Sequence, residues 1–590
     1  MASAEASQSH HALRAISLLI VLATAKTITL ILLRAGVGAS VWFPVAYYWQ
    51  DVLAVLLFAA VDRLLFPPRV AWAAYAAVAI YAAVNVPITV ALSSPLTPAL
   101  VRASGRALAD SIHHYLTPLN VIGLLLPLAA AALAPLVVRR LIGRTTRAVQ
   151  WSAICGAIAV AALGPIATAR TETRGLHRNA IGAFVGASLI RVGSAGHDVD
   201  WRVSPFPGAP AGEPLDRFDG AARGRNIVLV VLESTAARYL GLYGATRDPA
   251  PRLTALARDA IVFDRAYAVY PESIKGLFTT LCSRYPAFDT APEIYADVRC
   301  TSLPSLLRAS GYRTALFHSG RFDYLGMRAV IERRGFDLLE DAGAIGGNVQ
   351  SSFGVDEPAT VRRMLQWIDR RDAPAPFFIA YLPIAGHHPY FTHGPRVFPG
   401  DADFDSYLNA VHEGDDALGV LVDGLRSRGL DGKTLFVIFG DHGEAFGQHP
   451  GNSAHTLFAY EENVRVPMVI AAPGAIAGMT RVARIASVVD IAPTIAALVG
   501  LPPVPAHEGT SLLTAGARMA FVFTDYSLGW LGLVDGCWKF LLEIDAGRSR
   551  LFDVCVDPDE KIDRSPEFRE RTAAYADRVR KWAEAVKSRF

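Results

Sequence analysis

The chain has 590 residues, 52% of them hydrophobic and 19% charged, and its mean hydropathy of +0.29 excludes both a wholly water-soluble protein and a disordered one. A formal net charge of +3 is too small for a nucleic-acid binder, whose basic residues gather in a concentrated patch. Charged residues are sparse before about residue 168 and dense after it, which predicts a membrane part followed by a water-facing part.

Five hydrophobic blocks open the chain, at about 13–33, 45–66, 70–92, 118–138 and 148–168. Each is close to the ~20 residues that cross ~30 Å of hydrocarbon as a helix. The short loops with Arg63 and Arg69, and with Arg139, Arg140, Arg144 and Arg147, are basic, which assigns both to the cytoplasm. An odd number of spans then exports everything after about 169. A cleaved signal peptide is the competing account of the first block, but Lys26 interrupts it and no small-residue cleavage site precedes the next block. Lys26 and Asp51 are costly in lipid unless they face a partner or the interface, so snorkelling or a structural pair near the membrane surface is expected ahead of a functional role. Residues 94–117, with Arg102, Arg106, Asp110, His113 and His114, read as an external loop, either solvated or touching headgroups. Residues 169–223, with Pro205, Pro207, Pro210 and Pro214 near their end, read as a linker. The expected division is thus 1–168 transmembrane, 169–223 linker and 224–590 catalytic.

Beyond the linker, 226–233, 314–318, 377–382, 434–439 and 467–471 are short apolar runs without strict alternation. That pattern marks strands buried on both faces of a mostly parallel sheet. Helical stretches fall at 250–260, 276–283, 303–310, 356–370 and 412–428, giving an α/β/α sandwich whose ligands gather beyond the carboxyl ends of the strands. The first strand ends in Glu233, and the strand at 434–439 runs out into Gly440, Asp441, His442, Gly443 and Glu444. Two carboxylates and an imidazole from two strand ends suit one divalent cation. Ser273 follows a proline-bearing turn and precedes a helical run, which places its hydroxyl at a helix N-terminus, an end that favours an anion.

At this point the sequence resembles a known family. Asn226–Gly244, Phe263–Pro286, Gly311–His318 with Gly335–Asp337, Gly440–Pro467, Val489–Thr494 and Leu551–Pro558 are similar, in order, to the sulfatase branch of the alkaline phosphatase superfamily. With five helices ahead, the arrangement resembles the lipoteichoic acid synthases, phosphoglycerol transferases and lipid A phosphoethanolamine transferases. The resemblance puts Ser273 on the nucleophile, and Glu233, Ser273, Asp441 and His442 on metal ligands for Mn, Zn, Mg or Ca. It puts His387 on substrate oxygens and His455 on a further substrate or second-metal position. His388, His449, Lys275 and His318 are expected to be structural or supporting. Tyr460–Glu462, Arg465–Pro467 and Asp490 are expected to pack and cap.

One departure bears on the subclass. Formylglycine formation requires proline or alanine two residues after the nucleophile and arginine four after it, and these positions hold Lys275 and Leu277. An unmodified serine suits phosphoryl transfer through a phosphoserine. The expectation is a multi-pass protein of the bacterial inner membrane, with the catalytic domain on the periplasmic side. It would move a phosphate-bearing headgroup from a phospholipid donor to an envelope glycan or lipid acceptor, and no nucleic-acid partner is expected. The alternatives are a membrane-anchored sulfatase or phosphodiesterase, and a catalytically silent lipid-binding sensor. Cys155 lies in the fifth block, leaving Cys282, Cys300, Cys537 and Cys555 in an oxidising compartment. Cys537 and Cys555 flank two adjacent predicted strands, so they form one expected bridge and Cys282–Cys300 the other. Residues 575–590 read as an amphipathic basic helix, packed on the domain or lying on the bilayer.

Overall fold

The computed structural model describes residues 2–33, 40–65, 67–92, 95–96, 113, 115–142, 146–186, 200–206, 214–288, 290, 292–351, 353–370, 375–525 and 528–590. The expectations for Arg102, Arg106, Asp110, His114, Pro207 and Pro210 lie outside them.

Five helices come first: α1 (Ala2–Leu32), α2 (Phe43–Leu65), α3 (Pro68–Leu92), α4 (Pro118–Ile142) and α5 (Arg147–Arg170). All five are long and apolar enough to cross a membrane. The buried charged residues Arg14, Asp62, Lys26 and Asp51 inside the bundle are paired, as a low-dielectric interior requires. Arg14 of α1 gives two hydrogen bonds to Asp62 of α2, at 3.0 and 2.9 Å. Lys26 stands 3.5 Å from Asp51 and donates to the carbonyls of Leu176 and Arg178 at 3.0 and 2.6 Å. Lys26 and Asp51 are therefore the structural pair expected. Through those carbonyls the pair also holds the chain that follows α5, where the short helix α6 (Ala180–Gly186) lies.

The second part is built on a nine-stranded sheet. Its strands are β1 (Asn226–Leu232), β2 (Ala260–Tyr267), β3 (Arg313–His318), β4 (Leu338–Glu340), β5 (Phe377–Leu382), β6 (Thr434–Gly440), β7 (Arg465–Val466), β8 (Met468–Ala471) and β9 (Thr480–Ser487). The order is β7-β2-β8-β6-β1-β5-β3-β4, with β9 beside β2. β6, β1, β5, β3 and β4 are parallel, whereas β8 runs antiparallel to both β6 and β2. Sequence patterning missed β2, β4, β7 and β9, and the helix expected over 250–260 gives way to β2 at Ala260. In β1, Ile227, Leu229 and Val231 enter one core while Val228 and Val230 enter the other. Both faces are apolar for that reason, and the run shows no alternation.

One core packs under α7 (Ser273–Cys282) and α8 (Leu303–Ala309), the other under α9 (Glu357–Asp369) and α10 (Asp403–Arg426). The result is the expected α/β/α sandwich. A four-stranded antiparallel sheet follows, β10 (Met519–Thr524), β11 (Trp530–Asp535), β12 (Trp538–Glu543) and β13 (Arg548–Asp553). It is covered by α11 (Arg569–Lys587), whose Tyr575, Val579, Trp582 and Val586 are buried. The C-terminal helix thus packs on the domain. Cys282–Cys300 and Cys537–Cys555 form the two expected bridges, and Cys155 is free.

The stretch between the two parts is held from both sides. Trp201, Leu215, Phe218 and Ala222 are buried in the core under α7. Glu172 receives Arg548 at 2.5 Å and also Arg550, and Arg178 faces Asp545 at 3.9 Å.

Candidate active site

Because β1 and β6 are parallel neighbours, with Leu232 opposite Gly440, the residues that follow them emerge side by side. Glu233 leaves β1, Asp441 and His442 leave β6, and Ser273 is the first residue of α7. Ser273 Oγ lies 2.9 Å from Glu233 Oε2, 2.5 Å from Asp441 Oδ2 and 3.4 Å from His442 Nε2. His442 Nε2 is also 3.6 and 3.5 Å from the two carboxylates. These are the four predicted metal-site residues, gathered at one point.

Backbone and neighbours decide which atoms face inward. Asp441 Oδ1 accepts from the amides of Ser234 and His442 at 3.0 and 2.7 Å, leaving Oδ2 for Ser273. Glu233 Oε1 accepts from the Ser234 hydroxyl at 2.8 Å, leaving Oε2. His442 Nδ1 donates to the Gly443 carbonyl at 2.9 Å, so Nε2 presents a lone pair. Close approach fixes two glycines: a Cβ at Gly386 would lie 2.1 Å from the Glu233 carbonyl, and one at Gly443 2.1 Å from that of Glu462.

The donor set fits a divalent cation. Ser273 has a single hydroxyl proton, yet two carboxylate oxygens and an imidazole lone pair converge on it. A cation resolves that excess of lone pairs, and the mixed oxygen and nitrogen donors do not select the element. Burial, with the adjacent Glu233 charge, pushes the Asp441 carboxyl up to about 7. Burial opposes the Glu233 charge too, but His442, His387 and His455 outweigh it and hold that carboxyl below its usual value.

The two other predicted histidines flank this centre. His455 stands on the turn closed by Ala445–Phe446 and Ser453–Ala454, its ring 4.2 Å from that of His442. Its Nδ1 is 2.6 Å from Glu444 Oε2, and although burial works against the charge, Glu444 raises His455 to about 9. His387 follows β5 and directs Nδ1 to the His388 carbonyl at 2.6 Å, its ring stacked on Phe353 at 3.9 Å. Burial lowers its pKa and favours the neutral form.

Sequence reasoning missed four supporting residues. Ser234 orients both carboxylates, and Tyr390 donates to Glu444 Oε1 at 2.6 Å. Glu444 was legible as part of the run that carries Asp441 and His442, whereas Phe353 comes from a hairpin with no motif. One expectation changes: the N-terminus of α7 is not left open for an anion, because the Glu272 carboxylate accepts from Ile274 and Lys275 at 3.1 and 3.5 Å. Lys275 is a buried partner of Asp525 at 2.9 and 2.8 Å. His318 bonds the Leu382 carbonyl at 3.0 Å, and His449 stacks on Tyr460 with Nδ1 2.7 Å from Glu462.

Residues 225–501 match the Sulfatase family. Lipoteichoic acid synthase 2 of Bacillus subtilis is 24% identical over 307 residues, 49% of this chain and 47% of that protein. Arylsulfatase K of Bos taurus is 30% identical over 193 residues, 30% of this chain and 35% of that protein. The chain spans about half the length of the curated relatives it matches first. Among solved structures, the lipoteichoic acid synthase LtaP of Listeria monocytogenes superposes with a TM-score of 0.51 at 18% identity, covering 63% of this chain and 93% of that one. An alkaline phosphatase superfamily protein of Vibrio parahaemolyticus gives 0.52 at 19%, covering 65% and 91%. Behind five apolar helices, the chain therefore carries a domain that matches the Sulfatase family over residues 225–501 and has the fold of alkaline phosphatase superfamily structures, with carboxylates, a histidine and a serine gathered at its strand ends.

Proposed function

We propose that the protein transfers a phosphate-bearing headgroup, phosphoglycerol or phosphoethanolamine, from a phospholipid to an envelope glycan or lipid, with Ser273 as nucleophile. The observation that carries this is the Ser273 hydroxyl set between Glu233 and Asp441 with His442 beside it. Glu233, Asp441, His442 and Ser273 would hold a divalent cation, which when bound would lower the hydroxyl pKa and offset charge on the phosphoryl oxygens. Ser273 gives up its proton along the bond to Asp441, and its oxygen forms a bond to phosphorus as the bond to the diacylglycerol oxygen breaks. His455, kept protonated by Glu444, gives that leaving oxygen its proton. The acceptor hydroxyl then attacks the phosphorus on Ser273 and passes its proton to the His455 imidazole, while Ser273 leaves with the proton that Asp441 returns. His387 positions substrate oxygens from the β5 side.

The division into a transmembrane part to residue 168, a connecting stretch to 223 and a catalytic domain outside a bacterial cytoplasmic membrane belongs to the same proposal, supported by the basic loops and the apolar helices. The arylsulfatase relatives keep ester hydrolysis as a second reading. Against it stands Lys275, buried against Asp525 two residues after the nucleophile. Ser273→Ala should abolish turnover while thermal unfolding stays unchanged, and mass spectrometry of wild type incubated with donor and no acceptor should find the phosphoglycerol or phosphoethanolamine ester on the Ser273 peptide. Full activity in the variant, or a formylglycine at this position, would remove the nucleophile assignment.

A further inference from the structure

The catalytic pocket has two neighbours from the membrane part. Tyr115, three residues before α4, stacks on His388 with ring centroids 5.1 Å apart and planes 11° from parallel. His388 meets Tyr390 edge-on at 5.2 Å, and Tyr390 holds Glu444, the residue that orients His455. Tyr115 is itself fixed, since its carbonyl accepts from the buried Asn120 of α4 at 2.9 Å. Burial raises the Tyr115 hydroxyl, and the charges of Asp403 and Glu444 add to the rise, which puts the phenol in the field of the site. Arg174, four residues past α5, lies against the turn between His449 and His455: a Cβ at Gly451 would meet its Cδ at 3.5 Å. Arg174 adopts a left-handed backbone, φ 50°. Among the described residues its guanidinium makes no hydrogen bond or ion pair, whereas its neighbours Glu172 and Arg178 are both paired.

An aromatic face and an uncommitted guanidinium, both placed by segments adjoining apolar helices, suit an anionic headgroup at the bilayer surface. Aromatic rings favour the membrane–water boundary, and a guanidinium forks onto phosphate oxygens. We propose that Tyr115 and Arg174 form the bilayer-side rim of the catalytic pocket and position the phosphate-bearing headgroup of a phospholipid while it is still anchored in the membrane. They are positioning residues and take no part in bond making. This rests on the headgroup-transfer reading above and adds which part of the chain selects a lipid over a soluble diester.

The test uses the full chain in vesicles of phosphatidylglycerol, phosphatidylethanolamine and phosphatidylcholine, with bis(4-nitrophenyl) phosphate as the soluble substrate. Tyr115→Ala and Arg174→Ala should each raise KM for vesicle lipid about tenfold and leave turnover of the soluble diester within about twofold. Tyr115→Phe, which keeps the stack, should behave as wild type, and Arg174→Lys should fall between. An unchanged lipid KM, or equal losses on both substrates, overturns the assignment of these two residues while the functional reading stands. A wild-type chain that turns over neither phosphodiester and cleaves aryl sulfates overturns both.

Discussion

At the scale of single residues, the site depends on which oxygen of each carboxylate is already committed. Asp441 spends Oδ1 on two backbone amides and Glu233 spends Oε1 on Ser234, so only Oδ2 and Oε2 face Ser273. Two buried carboxylates beside one hydroxyl are stable as a pair only when their charge is offset. The wild type should therefore hold about one divalent cation per chain tightly, and a Glu233→Ala, Asp441→Ala double variant should lose it. Metal analysis of the dialysed proteins measures this, and equal content in the two would place the cation elsewhere. Ser234 could not be singled out from the sequence, because a serine after a strand is usually a turn residue. Its role follows from a left-handed backbone, φ 52°, that aims its amide at Asp441 and its hydroxyl at Glu233.

At the scale of elements, the parallel strand ends need anchoring on the face opposite α7. Glu357, in the first turn of α9, accepts from the hydroxyls of Ser319 and Tyr381 and the amide of Ile384, and so ties α9 to the ends of β3 and β5. Burial raises its carboxyl from 4.5 to about 7. A carboxyl with a raised folded-state pKa stabilises the fold fully below about pH 4.5, and that contribution is lost as pH rises through about 7. The shift corresponds to roughly 3 kcal/mol between those limits. Glu357→Gln should accordingly flatten the pH dependence of unfolding between pH 5 and 8, with the wild type losing stability relative to the variant as pH rises. Parallel pH-stability curves for the two proteins would show that Glu357 is ionised throughout. The same loop, 383–390, carries His387, which joins this anchor to the site.

At the scale of the whole molecule, the domain begins before the sheet does. Trp201, Leu215 and Phe218 fill the core under α7, and the amides of Gly220 and Ala222 bond the carbonyls of Ala497 and Leu498 at 2.9 and 2.8 Å. A chain starting at residue 200 keeps these contacts and all of the proposed site, so it should fold and cleave a small soluble phosphodiester. It loses α1 to α5, Tyr115 and Arg174, and with them the high local concentration of a donor in the same membrane, worth about 10²–10⁴-fold. Turnover of vesicle lipid should fall by that order while soluble turnover persists. Equal lipid turnover by the short and full chains would remove the case for a membrane-held donor.

How much of this was legible in the sequence follows from the range of the interactions involved. Five apolar blocks, the buried parallel strands and the run from Gly440 to Glu444 are local patterns, and the sequence determined them, because lipid and a sheet covered on both faces each demand continuous apolar stretches. Both disulfide pairings were also within reach, since each joins cysteines 18 residues apart. The antiparallel β8, the unpredicted β2, β4, β7 and β9, and the closure of the α7 N-terminus by Glu272 were decided by tertiary packing, which overrides weak strand propensity and local capping preferences. So were the contacts of Phe353 with His387 and of Tyr115 with His388. Pairs such as Tyr115 and His388 lie far apart in the chain, and only the docking of the domain onto the helices brings them together.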